Sequence, residues 1–170
     1  MNTRDLLVDA FGRITEAVHD AVDGLTLEQL TFRVDPRANS IAWLVWHLTR
    51  IQDDHVAGVA ETEQVWITEG WYERFKLPFD RRAHGYGQSP DEVGAVRVES
   101  SLLAGYYDAV HERTTAYLQG LTDADLDRVV DTRWKPPVTL GVRLVSVITD
   151  DLQHAGQAAY LRGVVERSGS

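Results

Sequence analysis

Apolar residues recur at three- and four-residue intervals along four long segments of the chain. This spacing is that of one buried helix face, and it leaves little room for a sheet-based fold. The predicted helices are residues 3–23, 41–60, 90–119 and 139–161. They predict an all-α fold, a four-helix bundle with a long crossover between the second and third helices.

Capping residues set the ends of these helices. Ser40 is the predicted N-cap of the second helix, and the run from Ser89 to Glu92 combines an N-cap serine, a proline at N1 and a glutamate at N3. Gly163 is predicted to end the fourth helix. We therefore expect one domain over residues 1–166, followed by a frayed tail at 167–170.

The crossover, residues 61–89, shows no sustained period but is rich in aromatic residues. A loop of this length inside a compact domain is uncommon and often functional. Its aromatic content predicts that it packs on the bundle and shapes any pocket there.

Charge and composition exclude several functions. The chain has 17 Lys and Arg against 26 Asp and Glu, a net charge of −9, which argues against nucleic acid as a partner. No apolar run reaches the 18 or so residues that span a bilayer, and the charged first residues do not resemble a signal peptide. Cysteine is absent, which excludes disulfides and zinc–thiolate sites and fits a cytoplasmic location.

Two histidines stand in apolar helix environments. His47 follows the most apolar stretch of the second helix, and His154 lies on the fourth helix, four residues after Asp150. A carboxylate and a histidine one turn apart, with a third ligand from a facing helix, bind a divalent metal in many bundles. Three such ligands leave a coordination position open for catalysis. Asp151 is an alternative to Asp150 in this role. The alternative to a metal site is that His47 is a hydrogen-bonded core histidine and that Asp150 and His154 form an ordinary pair on the helix surface.

Other side chains near these positions are weaker candidates. His55 and Asp54 follow His47 by about two turns. Either could be a fourth ligand, a hydrogen-bond partner of one of the ligands, or part of a solvated helix end. Trp43 fits core packing or a pocket wall. His84 lies in an arginine-containing loop that fits either an anion contact or an ordinary polar loop. The sequence assigns no catalytic residue.

Two motifs carry a family resemblance. Ser40-Ile-Ala-Trp-Leu-Val-Trp-His47-Leu and, about a hundred residues later, Asp150-Asp-Leu-Gln-His154-Ala-Gly-Gln157 resemble a bacterial subgroup of the DinB/YfiT-like family, and the likeness covers nearly the whole chain. The resemblance implies a four-helix bundle, a homodimer and a divalent metal held by His47, Asp150 and His154. It also places Gln157 next to this pocket.

Many members of that family have histidine where this chain has Asp150. The related mycothiol-dependent maleylpyruvate isomerase has a glutamate there and binds zinc, so the resemblance implies zinc first, with nickel, manganese or iron as alternatives. It further implies a low-molecular-weight thiol. The chain is rich in Arg and poor in Lys, which is typical of a high-GC genome, and such a genome favours mycothiol over bacillithiol.

The predicted function is a metal-dependent thiol S-transferase or isomerase acting on a small electrophile. The alternatives are a metal-dependent hydrolase, and a non-catalytic dimeric module with a structural or vestigial metal site.

Overall fold

The computed structural model describes residues 2–168. Within this range the chain forms helices α1 (Thr3–Val22), α2 (Leu27–Leu30), α3 (Ile41–Ala60), α4 (Val65–Thr68), α5 (Trp71–Phe75), α6 (Pro90–Ala95), α7 (Ser100–Gln119) and α8 (Leu140–Ser168). A 3-10 helix (Asp123–Asp127) and a two-stranded antiparallel hairpin, β1 (Val129–Asp131) and β2 (Val138–Thr139), precede α8. The predicted all-α bundle is confirmed.

The four long helices form a ring in the order α1, α7, α3, α8. α3 packs mainly on α8 and α7, and α1 packs on α7 and α8, so α1 and α3 lie diagonally opposite each other. The first turns of α3 are buried on every side, as their nearly continuous apolar sequence predicts. This burial carries His47 into the interior, facing α8.

Two predicted N-caps are observed, at the starts of α3 and α6. The Ser40 hydroxyl accepts from the Trp43 backbone N–H at 3.1 Å, and Ser89 forms a capping box with Glu92. Gly24, the residue after the Asp23 C-cap of α1, adopts the left-handed conformation with φ of +76°, as glycine commonly does at the end of a helix.

The third predicted helix, 90–119, is wrong in one respect, because it is broken into α6 and α7. Between them Val96 and Val98 are buried while Arg97 is exposed. This alternation is the period of extended chain, and it buries both valines where a continuous helix would expose one of them. The β-branched side chains also have a low helix propensity.

The predicted end of the fourth helix is also wrong, since α8 passes through Gly163 and continues to Ser168. Leu161 and Val165 are buried on opposite sides of the glycine in sequence, and Arg162 pairs with Glu166 at 2.8 Å. These contacts outweigh the roughly 1 kcal/mol cost of a helical glycine. Of the predicted frayed tail, residues 167–168 are helical and residues 169–170 lie outside the described part.

The crossover packs on the bundle through an aromatic cluster. Trp66 lies 5.0 Å from both Phe75 and Tyr106, measured between ring centroids, and Trp71 lies 5.7 Å from Tyr106. These aromatic pairs stabilise the packing of α4 and α5 on α7. None of the described helices has the length and apolar character needed to cross a membrane.

Candidate metal centre

His47 of α3 and Asp150 and His154 of α8 meet at the seam between the two helices. Each offers one ligand atom, and these three atoms lie within 4.8 Å of one another. Ligands around one zinc ion are roughly 3 to 3.5 Å apart, so small side-chain rotations close the group around an ion. Oδ2 of Asp150 is buried and has no hydrogen-bond partner among the described residues. A buried carboxyl oxygen without a hydrogen-bond partner fits a cation at this place.

The His47 ring is oriented by the crossover. Its Nδ1 donates to the backbone carbonyl of His84 at 2.5 Å, which leaves the Nε2 lone pair free for a ligand. Burial lowers the pKa of His47 below its usual value, so the ring is neutral at neutral pH. A neutral imidazole with a free nitrogen is the form that binds metals.

His154 is oriented from its own helix. Its Nδ1 contacts Oε1 of Gln157 at 3.2 Å, an acceptor that places the ring proton on Nδ1. The opposite nitrogen, Nε2, lies 3.7 Å from Oδ1 of Asp150. The side chain predicted to lie next to the pocket, Gln157, therefore fixes the tautomer that leaves Nε2 available.

The two neighbouring aspartates on α8 have different surroundings. Asp150 lies in the ligand group, while Asp151 is fully buried and both of its oxygens lack hydrogen-bond partners within the described structure. Burial raises the pKa of Asp151 well above its usual range, which favours the neutral acid. Of the two aspartates, Asp150 is the one that lies with His47 and His154 in the group of potential ligands.

Trp43 forms one wall of the site. Its ring stacks on that of His47 with centroids 4.6 Å apart, and its edge faces His154 at 6.2 Å. The indole N–H donates to Oε1 of Gln88 at 2.7 Å. Trp43 is therefore a buried core residue that contacts the rings of both proposed histidine ligands.

Gly85 lets the crossover approach His47 this closely. It adopts a φ of +97°, and a Cβ atom built there would lie 2.6 Å from Nδ1 of His47 and 3.2 Å from the Trp43 ring. Both the left-handed conformation and the lack of space require glycine.

We expect Gly85→Ala to lower the free energy of unfolding by about 1–3 kcal/mol, because alanine strains the backbone and pushes the loop from His47. Zinc affinity should fall in the same variant. Urea unfolding and a competitive zinc titration measure the two effects, with Gly87→Ala as the control. Gly87 also has a positive φ, but a Cβ atom there meets no atom of the described part of the chain within 4 Å. Equal zinc affinity in both variants would show that the close approach is unimportant for the site.

His55 and Asp54 lie beyond the ligand group, toward the C-terminal end of α3. Nδ1 of His55 contacts Nη1 of Arg143 at 3.2 Å, and Oδ1 of Asp54 accepts from the Gln64 amide at 2.7 Å. The structure does not bring either side chain into the ligand group. They line a neighbouring polar cleft instead.

A buried arginine that sequence analysis did not single out links the core to the loop above His47. Arg50 is 0% exposed, donates from Nε to the Ala83 carbonyl at 3.0 Å, and lies with Nη1 3.8 Å from Asp53. Asp53 in turn accepts from the backbone N–H groups of Val65 and Trp66 at 2.9 and 2.8 Å. One network therefore anchors both α4 and the loop.

Comparisons with known proteins agree with this fold. The sequence model of a family described as mycothiol-S-transferase matches residues 6–167. A crystal structure of a conserved protein from Enterococcus faecalis is similar, with a TM-score of 0.90 and 31% sequence identity. That likeness covers 97% of this chain and 98% of the other. No curated protein matches the chain.

Proposed function

Because the chain belongs to the mycothiol-S-transferase family, we propose that it is a divalent-metal-dependent enzyme that transfers a low-molecular-weight thiol to a small electrophile. The thiol proposed first is mycothiol, and the metal proposed first is zinc. The observation that carries the proposal is the convergence of His47, Asp150 and His154, with a buried oxygen on Asp150 that has no hydrogen-bond partner within residues 2–168.

The donor set fits a catalytic metal. Two imidazoles and one carboxylate are ligands that zinc accepts, and three protein ligands leave a position open. A metal bound there lowers the pKa of a coordinated thiol and favours its thiolate at neutral pH. The chain has no cysteine, so the nucleophilic sulfur has to come from a separate molecule.

The surrounding residues hold the proposed ligands in place. The His84 carbonyl and the Trp43 ring fix the orientation of His47, and Gln157 fixes that of His154. Such outer partners keep a metal site preorganised, so that little ordering is needed when the ligands are occupied.

Thiol dependence tests this proposal. We expect the zinc-loaded protein to consume mycothiol together with a small electrophile, and expect no reaction after chelation. Free thiol and thioether product are both measured. Turnover of a hydrolysable substrate without thiol would favour the metal-dependent hydrolase. Absence of any turnover over a panel of electrophiles would favour the non-catalytic module.

We also propose that the protein is a homodimer formed through α8. Exposed residues on the outer face of that helix repeat at alternating three- and four-residue intervals, which is the spacing of a helix-pairing seam. They are Val142, Val145, Thr149, Leu152 and Gly156. A second copy of the same face would cover this apolar stripe.

A charge placed in the stripe should separate the copies. We expect the double substitution Val145→Glu and Leu152→Glu to convert a dimer into a monomer, because pairing would bury four carboxylates in apolar contact. Sedimentation equilibrium measures the mass. The control is Leu6→Glu, an equally exposed apolar position on α1. A variant that sediments like the wild-type protein would exclude this face as the interface.

A further inference from the structure

A polar cleft of about 510 Å³ lies between the end of α3, the start of α8 and the hairpin. Its polar lining consists of Asp54, His55, Asp131, Thr132, Arg133 and Arg143. The cleft lies beside the candidate metal centre rather than in it, because His55 is eight residues, about 12 Å along the helix, from His47.

Ion pairs hold the lining in fixed orientations. Arg143 is only 16% exposed, and its Nη2 donates to Oδ2 of Asp131 at 3.0 Å. Arg133 donates to both oxygens of Asp131, at 3.0 and 2.8 Å. Hydrogen bonds from Arg133, reinforced by the charge of Arg143, hold the pKa of Asp131 well below its usual range. The carboxylate is therefore an anion and holds the largely buried Arg143 guanidinium in place, while Arg133 is 84% exposed.

His55 completes this arrangement with a defined tautomer. Arginine can only donate, so Nδ1 of His55 accepts from Arg143 and the ring proton lies on Nε2. Burial lowers the pKa of His55, with the Arg143 charge contributing, which keeps the ring neutral. Only two of the five N–H groups of Arg143 are used in the bonds described.

The charges in the cleft are balanced. Two guanidinium groups face two carboxylates, those of Asp131 and Asp54, so donors and acceptors are both present without a net field that would select an anion. Such a lining suits a neutral ligand whose groups both donate and accept hydrogen bonds, as hydroxyl groups do.

The cleft and the metal centre lie along the same seam between α3 and α8. Arg143 precedes Asp150 by seven residues and His55 follows His47 by eight, and the Arg143–His55 contact shows that the same two helix faces meet at both places. A ligand that reaches both places is longer than a cysteine side chain.

We infer that the polar cleft binds the hydroxyl-rich body of the thiol and that Arg143 is its specificity-determining residue, with the sulfur directed to the candidate metal centre. This inference rests on the proposed thiol function. It assigns recognition of the thiol to the cleft and reactivity to the His47–Asp150–His154 group.

A comparison of two thiols distinguishes binding in the cleft from binding at the metal centre. Mycothiol carries a sugar and a cyclitol ring, whereas N-acetylcysteine carries the same sulfur without them. We expect Arg143→Gln to weaken mycothiol binding to the zinc-loaded full-length protein at least tenfold, and to leave N-acetylcysteine binding and zinc content unchanged. Thr132→Ala, which removes a hydroxyl group from the lining of the cleft, should weaken mycothiol binding several-fold. The control is Arg13→Gln, an exposed arginine paired with Asp9 on α1.

Calorimetric titration distinguishes the outcomes. Selective loss of mycothiol affinity in the Arg143 and Thr132 variants supports the cleft as the thiol subsite. A wild-type protein that binds both thiols with equal affinity, or variants that lose neither, would overturn the cleft and leave the thiol function standing. A zinc-loaded wild-type protein that binds neither thiol would overturn both proposals.

Discussion

Replacing His154 or His47 by alanine is expected to weaken zinc binding more than about 100-fold. Loss of a residue that only hydrogen-bonds to a metal ligand already lowers metal affinity about 10–100-fold, and loss of the ligand itself should lower it further. Each substitution removes one of three groups that converge within 4.8 Å. Helical content should persist, since the bundle rests on apolar contacts between long helices. Competitive titration against a zinc indicator measures the affinity, and circular dichroism reports the helicity.

His19→Ala is the matched control for these variants. His19 lies on α1 and pairs with Asp108 at 2.8 Å, away from the seam between α3 and α8. Its removal should leave zinc affinity unchanged. Stoichiometric zinc retained in both the His47 and His154 variants would refute the assignment of these residues as ligands.

The second large effect is expected from Arg50→Ala. This change removes the Nε bond to the Ala83 carbonyl and leaves the buried Asp53 carboxylate without its cation. Breaking one partner of a buried charge pair costs about 3–5 kcal/mol of folding free energy. Zinc affinity should also fall, because Ala83 belongs to the loop whose next residue orients His47.

Urea unfolding checks the Arg50 prediction, with Arg13→Ala as its control. Arg13 forms an exposed pair with Asp9, and exposed pairs contribute about 0–1 kcal/mol. A loss below about 1 kcal/mol in Arg50→Ala would contradict the central role given to the buried network. Unchanged zinc affinity in a destabilised variant would separate the network from the metal centre.

Local signals in the sequence were sufficient for the bundle and most helix starts. Ser40 and Ser89 are capping residues whose partners lie three residues away, so their role is visible without tertiary structure. The break at Val96 and the passage of α8 through Gly163 were not predicted, because both depend on burial against distant helices. Helix propensity decides such positions only when tertiary contacts are weak.

The candidate site divides in the same way. The i, i+4 spacing identified Asp150 and His154 as a pair, but Asp150 and Asp151 differ only in which way they face, and burial against neighbouring helices separates them. Gly85 lies 38 residues after His47, and nothing local indicates that the two touch. The sequence around Arg50 does not distinguish it from a surface arginine, because its partner, the Ala83 carbonyl, lies 33 residues away in the chain.

The most direct test of the account is calorimetric titration of mycothiol into the metal-free and zinc-loaded forms of the same preparation. Binding that appears only with zinc, or is at least tenfold tighter with it, is the predicted result, because the sulfur is proposed to lie at the His47–Asp150–His154 group. Equal affinity of the two forms would contradict the account, since the thiol would then bind without using the metal centre.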